Sequence, residues 1–419
     1  MHHFKYRENA LFCEDVSIQD IAAKIGTPFY LYSHATLKRH FQVFDAAFED
    51  VSKLICFSAK ANTNLAVLKI FADLGCGLDI VSGGELYRGL MAGFSPDRIV
   101  YSGVGKRVDE IDYALETDIL MFNVESPVEL ELINRRAALL KKQAPVAIRV
   151  NPDVDPKTHP YISTGLKKNK FGINTDAAIE SYRMAGSLEN VDVIGIDCHI
   201  GSQITETKPF EAALKSLKNL MNDLKQMGTA IKYLDMGGGL GITYADEKPP
   251  PLSEYAATMT QQLKGMDLKL ILEPGRVLVG NAGILVTKVL YRKPGETKNF
   301  VIVDAGMNDL LRPTLYNAFH AIEPVVNSNE NRIVADVVGP ICESSDFLAV
   351  DRNIYNVQPG DLMAVMSAGA YGYVMSSNYC SRPRVAEVMV KDDHFHVIKT
   401  RENYEDLVKG ESLPPFLEI

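Results

Sequence analysis

Leu54-Ile55-Cys56-Phe57-Ser58-Ala59-Lys60-Ala61-Asn62 is the stretch on which the reading of this chain turns. The apolar run Leu54 to Phe57 has the length and composition of a short buried strand, and Lys60 falls at its carboxyl end. Lysines are almost never buried unless something pairs with them or bonds to them. A desolvated lysine amine is pushed toward the neutral nucleophile that forms Schiff bases. A strand-end lysine can equally snorkel to solvent, so the meaning of Lys60 depends on what surrounds it in the fold.

From residue 28 to Arg276 similar runs recur: Leu54 to Phe57, Gly77 to Val81, Ile99 to Ser102, Ile119 to Val124, Val146 to Val150, Val193 to Ile200, Tyr233 to Met236 and Leu268 to Leu272. Helix-like amphipathic sequence follows them, as in Asn64 to Leu74, Gly84 to Met91, Pro127 to Lys141 and Pro209 to Met227. Eight β/α units in about 250 residues predict a TIM-type (β/α)8 barrel. A doubly wound open sheet is the alternative, and its fewer, two-sided strands fit the count less well. After Arg276 the long helices stop. Ala282 to Tyr291, Phe300 to Asp304, Arg332 to Val338, Asp361 to Met366, Arg384 to Val390 and His394 to Lys399 read as strands punctuated by Pro294-Gly295, Pro359-Gly360 and Gly369. The expected organisation is an α/β barrel over residues 28–276 and a mostly antiparallel β domain over 277–419. Residues 1–27, with one helical patch from Ile18 to Ile25, are expected to pack on the β domain. His394 and His396 share one strand face and read as solvated rather than metal-binding.

The composition, 46% hydrophobic and 23% charged over 419 residues, supports two sizeable cores. A net charge of -9 without a basic run argues against nucleic-acid and anionic-membrane surfaces. The six cysteines form no CxxC pair, which points to a reducing compartment and no zinc site. No apolar run approaches the ~18 residues of a membrane span, and no signal-peptide pattern opens the chain. A cytoplasmic protein without a metal is expected.

Barrel enzymes keep their chemistry at the carboxyl ends of the strands. Those ends carry Lys60; Asp79, Ser82 and Glu85; Arg149 and Asn151; His199 and Ser202; Gly237-Gly238-Gly239-Leu240-Gly241; and Glu273-Pro274-Gly275-Arg276. A glycine run in the loop after the seventh strand reads as an anion nest suited to phosphate. A dinucleotide fingerprint is disfavoured because the spacing is not GxGxxG, and a tight structural turn is the remaining alternative. An aldehyde-binding lysine, a phosphate nest and the acid Glu273 together describe a site for pyridoxal 5'-phosphate, with Glu273 keeping the ring nitrogen protonated. His199 would lie on the ring face.

These motifs, with Ser82-Gly83-Gly84-Glu85, Cys198-His199-Ile200-Gly201-Ser202-Gln203, Arg312-Pro313 through Tyr316, and Gly339-Pro340-Ile341-Cys342-Glu343-Ser344, resemble the fold type III (alanine racemase-like) pyridoxal-phosphate-dependent decarboxylases over nearly the whole chain. The resemblance is greatest to members acting on diaminopimelate. It implies that Lys60 carries the cofactor, His199 stacks on it, Ser202, Gly239, Gly275 and Arg276 hold its phosphate, and Glu273 and Tyr371 contact the ring nitrogen and the phosphate end. Asp79, Arg149 and Gly238 complete the expected cofactor-binding set. It further implies that Arg276, Arg312, Tyr316, Glu343 and Tyr371 grip meso-2,6-diaminopimelate, whose far carboxylate and amine call for a bidentate cation and an anion. Cys342 is implied as the acid that protonates the carbon left by carbon dioxide, giving L-lysine, in the last step of lysine biosynthesis. Head-to-tail homodimers with shared active sites are implied too. One departure stands out: Phe57-Ser58 occupies positions where these relatives more often carry Tyr or Phe followed by Ala, and Ser58 is expected to change packing without changing the reaction. The other readings are a related decarboxylase acting on ornithine, arginine, a carboxylated polyamine or a carrier-bound amino acid, and a non-catalytic regulatory decoy. Retention of Lys60 argues against the decoy.

Overall fold

The computed structural model describes residues 2–156, 158–159, 162, 164–165, 169–327 and 331–417. The chain divides into two compact units, Leu37–Gly280 and Met1–Thr36 with Asn281–Ile419.

In the first unit the strands Lys53–Ser58, Gly77–Ile80, Ile99–Tyr101, Met121–Val124, Ala144–Asn151, Val191–Asp197, Tyr233–Asp235 and Lys269–Leu272 pair in parallel. The eighth strand returns to the first through Leu270 opposite Lys53 and Leu272 opposite Ile55, closing an eight-stranded barrel. A two-residue strand, Ile173–Asn174, adds to the outside of the fifth. Strands covered on both faces read as continuous apolar runs, and Gly77–Ile80, Ile99–Tyr101 and Met121–Val124 are buried throughout. Leu54, Cys56, Val100, Met121, Ala147, Ile194 and Ile271, from strands one, three, four, five, six and eight, form one cluster, the packed core that this architecture needs instead of a pore. The loops leaving the strands double as helix caps. Asn64 accepts from Ala66 N at 2.9 Å, Ser82 from Glu85 N at 3.2 Å and Ser126 from Glu129 N at 3.2 Å, each satisfying a helix-terminal donor.

In the second unit Gly283–Lys293 is the long central strand, paired antiparallel with Phe29–Ser33, Leu362–Val365 and Phe300–Val303. Ala386–Lys391 lies parallel to Phe29–Ser33 and leads to the edge strand His394–Lys399. Arg332–Val338 lies parallel to Phe300–Val303 and antiparallel to Phe347–Tyr355. The sheet is thus mostly antiparallel with two parallel pairs. His394 and His396 are exposed on its edge.

The unit boundaries fall at residues 36/37 and 280/281 rather than 27/28 and 276/277. Phe29–Ser33, inside the stretch expected to be barrel, belongs to the other unit because its partners, Gly283–Lys293 and Ala386–Lys391, lie hundreds of residues away and leave no local pattern. The hairpin of Phe4–Arg7 and Ala10–Cys13 also went unread. So did Phe347–Tyr355, whose alternation is broken at Asp351-Arg352-Asn353 and whose pairing slips register beside Val337.

Candidate active site

Lys60 sits in a 3-10 turn, Ala59–Ala61, directly after the first barrel strand. Its Nζ lies 2.7 Å from Asp79 Oδ2, the Asp79 side chain being fully buried and that of Lys60 33% exposed. Ser58 Oγ lies 2.8 Å from the same Oδ2. The next acid, Glu85, accepts from Val81 N at 2.7 Å. Burial pushes its carboxyl up to about 7 against the pull of that bond and of Lys60.

Asp197, Asp235 and Glu273, from the ends of strands six, seven and eight, present oxygens within 4.8 Å of one another and are all buried. Glu273 is held well above the usual carboxylate range, first by burial, then by Asp235, Asp79 and Asp197. Asp197 is raised by burial and by Asp235. Burial takes Asp235 to about 6, although Gly237 N–H donates to it at 2.9 Å. Carboxylates this close in a low-dielectric interior share protons rather than ionise together. Asn123 Nδ2 reaches Asp235 Oδ2 at 3.2 Å and Glu273 Oε1 at 3.4 Å. Ser102 Oγ adds a 3.3 Å contact to Glu273 Oε1.

Arg149, on strand five, donates to Glu125 Oε1 at 2.6 Å and stands 3.9 Å from Asp197 Oδ2. Burial alone would lower its pKa, but Glu125 and Asp197 outweigh that and hold it above the ordinary value. His199 follows strand six. Burial, then the Arg149 and Lys60 charges, push its pKa well down, so the ring is neutral. Gly238 N donates to its Nδ1 at 3.1 Å, which assigns the proton to Nε2.

Arg276 Nη1 donates to Tyr244 OH at 2.7 Å, and Nη2 to Ser202 Oγ at 3.0 Å. Beside them a Cβ on Gly238 would run into Glu273 O, and one on Gly239, at φ +111, would meet Gly201 O at 2.6 Å. Only glycine fits this cradle. The glycine run differs from the expected nest of free N–H groups: those of Gly237, Gly238 and Gly241 are taken by Asp235, His199 and Ile204 O. An amine at Lys60, a flat neutral imidazole, a buried acid of raised pKa and a cradle flanked by Arg276 and Ser202 match the aldehyde, ring face, ring nitrogen and phosphate of pyridoxal phosphate. The residues therefore fit that cofactor.

Lys60, Asp79, Arg149, His199, Ser202, Gly238, Gly239, Glu273, Gly275 and Arg276 all belong to the barrel unit. Arg312, Tyr316, Cys342, Glu343 and Tyr371 belong to the other. There Arg312, buried in the short helix Arg312–Tyr316, meets His320 Nε2 at 2.7 Å. His320 Nδ1 faces Met366 O at 2.8 Å, so Nδ1 carries the proton and Nε2 accepts from Arg312. Cys342 is an exposed free thiol. Glu343 accepts from Tyr379 OH and Ser345 Oγ, both at 2.7 Å, and these bonds hold its carboxyl below the usual range. The buried Asp346 carboxylate accepts from Met307 N and Ile341 N, each at 2.6 Å, fixing the turn that carries Cys342 and Glu343. Tyr371 adopts a left-handed backbone, φ +55.

Tyr244, His320, Asp346 and Tyr379 were not singled out from the sequence. Each acts by touching a named residue rather than through a motif, and Tyr379 was detectable only as part of the polar run Ser376 to Arg384.

Residues 34–280 match the family described as pyridoxal-dependent decarboxylase, pyridoxal binding domain. The chain is 52% identical over 417 residues to the diaminopimelate decarboxylase of Vibrio cholerae, covering 99% of this chain and 100% of that protein. It is 51% identical over 408 residues to that of Aquifex aeolicus, covering 97% of each. Among solved structures, the diaminopimelate decarboxylase of Helicobacter pylori complexed with L-lysine superimposes with a TM-score of 0.91 at 43% identity, covering 93% of this chain and 98% of that one.

Proposed function

Since this chain belongs to the pyridoxal-dependent decarboxylases, in the branch of the diaminopimelate decarboxylases, we propose how its residues divide the work of converting meso-2,6-diaminopimelate to L-lysine and carbon dioxide. Pyridoxal phosphate supplies an aldehyde that condenses with amines and a ring that accepts electrons. The observation that carries the assignment is Lys60 Nζ, 2.7 Å from a fully buried Asp79 at the barrel's carboxyl end. Lys60 holds the aldehyde end. Asp79 orients its amine, and Glu273, whose proton affinity burial raises, would supply the acid that keeps the ring nitrogen protonated. Neutral His199 would pack on the ring without adding charge, and Arg149 steadies Glu125 and Asp197. Ser202, Gly238, Gly239, Gly275, Arg276 and Tyr371 hold the phosphate end.

Arg276, Arg312, Tyr316, Glu343 and Tyr371 grip the substrate. The Arg312 guanidinium meets the far carboxylate with His320 fixing it from behind, and Glu343 meets the far amine. Cys342 delivers a proton to the carbon that loses carbon dioxide. A neutral thiol can do so without a prior charging step. Carbon dioxide and lysine release from the meso, LL and DD isomers of diaminopimelate tests the substrate reading: meso is expected to be consumed, and comparable turnover of ornithine or arginine would overturn it.

Cys342 and Glu343 are exposed on the unit that does not carry Lys60, which supports a head-to-tail dimer in which each chain lends this turn to the other's barrel. In such a pair, mixing Lys60→Ala with Cys342→Ala puts both lesions in one site of each heterodimer. Roughly a quarter of wild-type activity should return after subunit exchange. A mixture that exchanges and stays inactive means that Cys342 serves its own chain.

A further inference from the structure

Ser58 closes the first barrel strand and is 3% exposed. Its backbone N donates to Pro274 O at 3.1 Å, and a Cβ on Gly275 would come within 3.0 Å of its own Cβ. The side chain is therefore locked against the Glu273-Pro274-Gly275 segment. From there Oγ lies 2.8 Å from Asp79 Oδ2 and 2.9 Å from Glu273 O. A hydroxyl has one proton to give, and an ionised carboxylate takes it in preference to a carbonyl because the bond is charge-assisted. Asp79 Oδ1 finds no partner among the described residues. Oδ2 accepts from both Ser58 and, at 2.7 Å, Lys60.

We propose that Ser58 is a positioning residue that sets how tightly Lys60 holds its proton: by donating to Asp79 Oδ2 it takes a share of the charge that would otherwise fall on the Lys60 ammonium. The proposal rests on the reading that Lys60 bears the cofactor, since an amine must lose its proton before it can add to an aldehyde. Glu85, Glu273 and His199 also face Lys60 and stay in place in the variant, so removing the hydroxyl leaves more of the Asp79 charge to Lys60, which then stays protonated to higher pH. Placement also matters. Glu273 O on the far side gives the hydroxyl a second acceptor, so its proton can turn away whenever Asp79 is neutralised.

The test uses the full chain stripped of cofactor. The rate at which it recombines with pyridoxal phosphate, with loss of water, is followed by absorbance across pH, and borohydride reduction with peptide mapping identifies the modified lysine. Ser58→Ala is expected to move the pH midpoint upward by about one unit, equivalent to roughly tenfold slower recombination below the midpoint. Ser58→Cys, similar in shape but a weaker donor, should move it the same way by less. In an Asp79→Asn background, where no carboxylate charge remains to be shared, Ser58→Ala should leave the midpoint where Asp79→Asn alone puts it. An unmoved or lowered midpoint in Ser58→Ala, or an equal shift with and without Asp79, overturns the proposal while leaving the functional reading intact. A label on a lysine other than Lys60 overturns that reading instead.

Discussion

The acids at the carboxyl end of the barrel and the Cys342-Glu343 turn of the antiparallel unit are set in opposite surroundings. In the barrel, Asp79, Arg149, Asp197, Asp235 and Glu273 are buried and linked through bonds that run from strand to strand. In the other unit, Cys342 and Glu343 stand exposed on a turn, held by Asp346 beneath and Tyr379 alongside. Burial strengthens every electrostatic contact and fixes charges before any ligand arrives, which suits groups that must hold a cofactor in one orientation. An exposed turn keeps its groups hydrated until something covers them. On the proposed division of roles most cofactor contacts lie in the barrel unit and most substrate contacts in the other, with Arg276 and Tyr371 serving both, so lesions at Lys60 and Glu343 should separate.

The largest effect expected from this contrast is at Lys60. Lys60→Ala should lower turnover by on the order of 10⁴ and abolish borohydride-stable cofactor attachment, with the fold retained because no core volume is lost. Attachment that survives at another lysine breaks the assignment of cofactor work to this strand end.

Next comes the carboxylate cluster, which makes the barrel pH-sensitive. Asp235 has a folded pKa of about 6 against about 3.9 unfolded. Between these values the folded state binds more protons, so stability falls as pH rises. Asp235→Asn removes the Asp235 share of that slope, the raised Asp197 and Glu273 keeping theirs, and should gain, relative to wild type, up to about 3 kcal/mol between pH 4 and 6. Denaturant midpoints of the cofactor-free protein measure it, and parallel curves for the two proteins would mean that Asp235 titrates normally.

The exposed turn offers a smaller and different signature. Glu343→Gln should reduce kcat/KM for meso-diaminopimelate about ten- to a hundredfold while the bound-cofactor spectrum stays as in wild type. A changed spectrum would erase the distinction between the two regions. Smallest of all, Tyr379→Phe removes one bond to the Glu343 carboxylate and should cost about three- to tenfold in kcat/KM, read as a rise in KM.

The barrel was legible because its strands, buried for most of their length, write largely apolar runs, and because its chemistry lies at or just after their carboxyl ends. In the second unit the legible strands were those that write an apolar or alternating run, such as Gly283–Lys293 and Leu362–Val365 or Ala386–Lys391 and His394–Lys399, whether the partner is distant or near. Phe29–Ser33 belongs to it through pairings that no local window contains. At the site, Lys60, Glu273 and the glycine run announced themselves by residue type. Asp346, Tyr244 and His320 did not, since a buried aspartate, tyrosine or histidine acquires its role from whichever atom it happens to face. Ser58 was expected to matter for packing, and its hydroxyl between Asp79 and Glu273 O was not readable, since a hydrogen bond across 21 or 215 positions leaves no trace in spacing.

The insertion of Phe29–Ser33 between Gly283–Lys293 and Ala386–Lys391 also sets a timetable for synthesis. The strand leaves the ribosome early, yet its second neighbour is made roughly 350 residues later, about 20–70 s at ordinary elongation rates. Both hydrogen-bonding edges of this five-residue segment of wholly buried side chains, Phe29-Tyr30-Leu31-Tyr32-Ser33, stay open until Gly283–Lys293 is made, and one edge stays open until Ala386–Lys391 follows. The nascent chain thus carries an incompletely paired, aromatic-rich strand until Ala386–Lys391 is made, and that segment is where chaperone engagement or premature aggregation would concentrate.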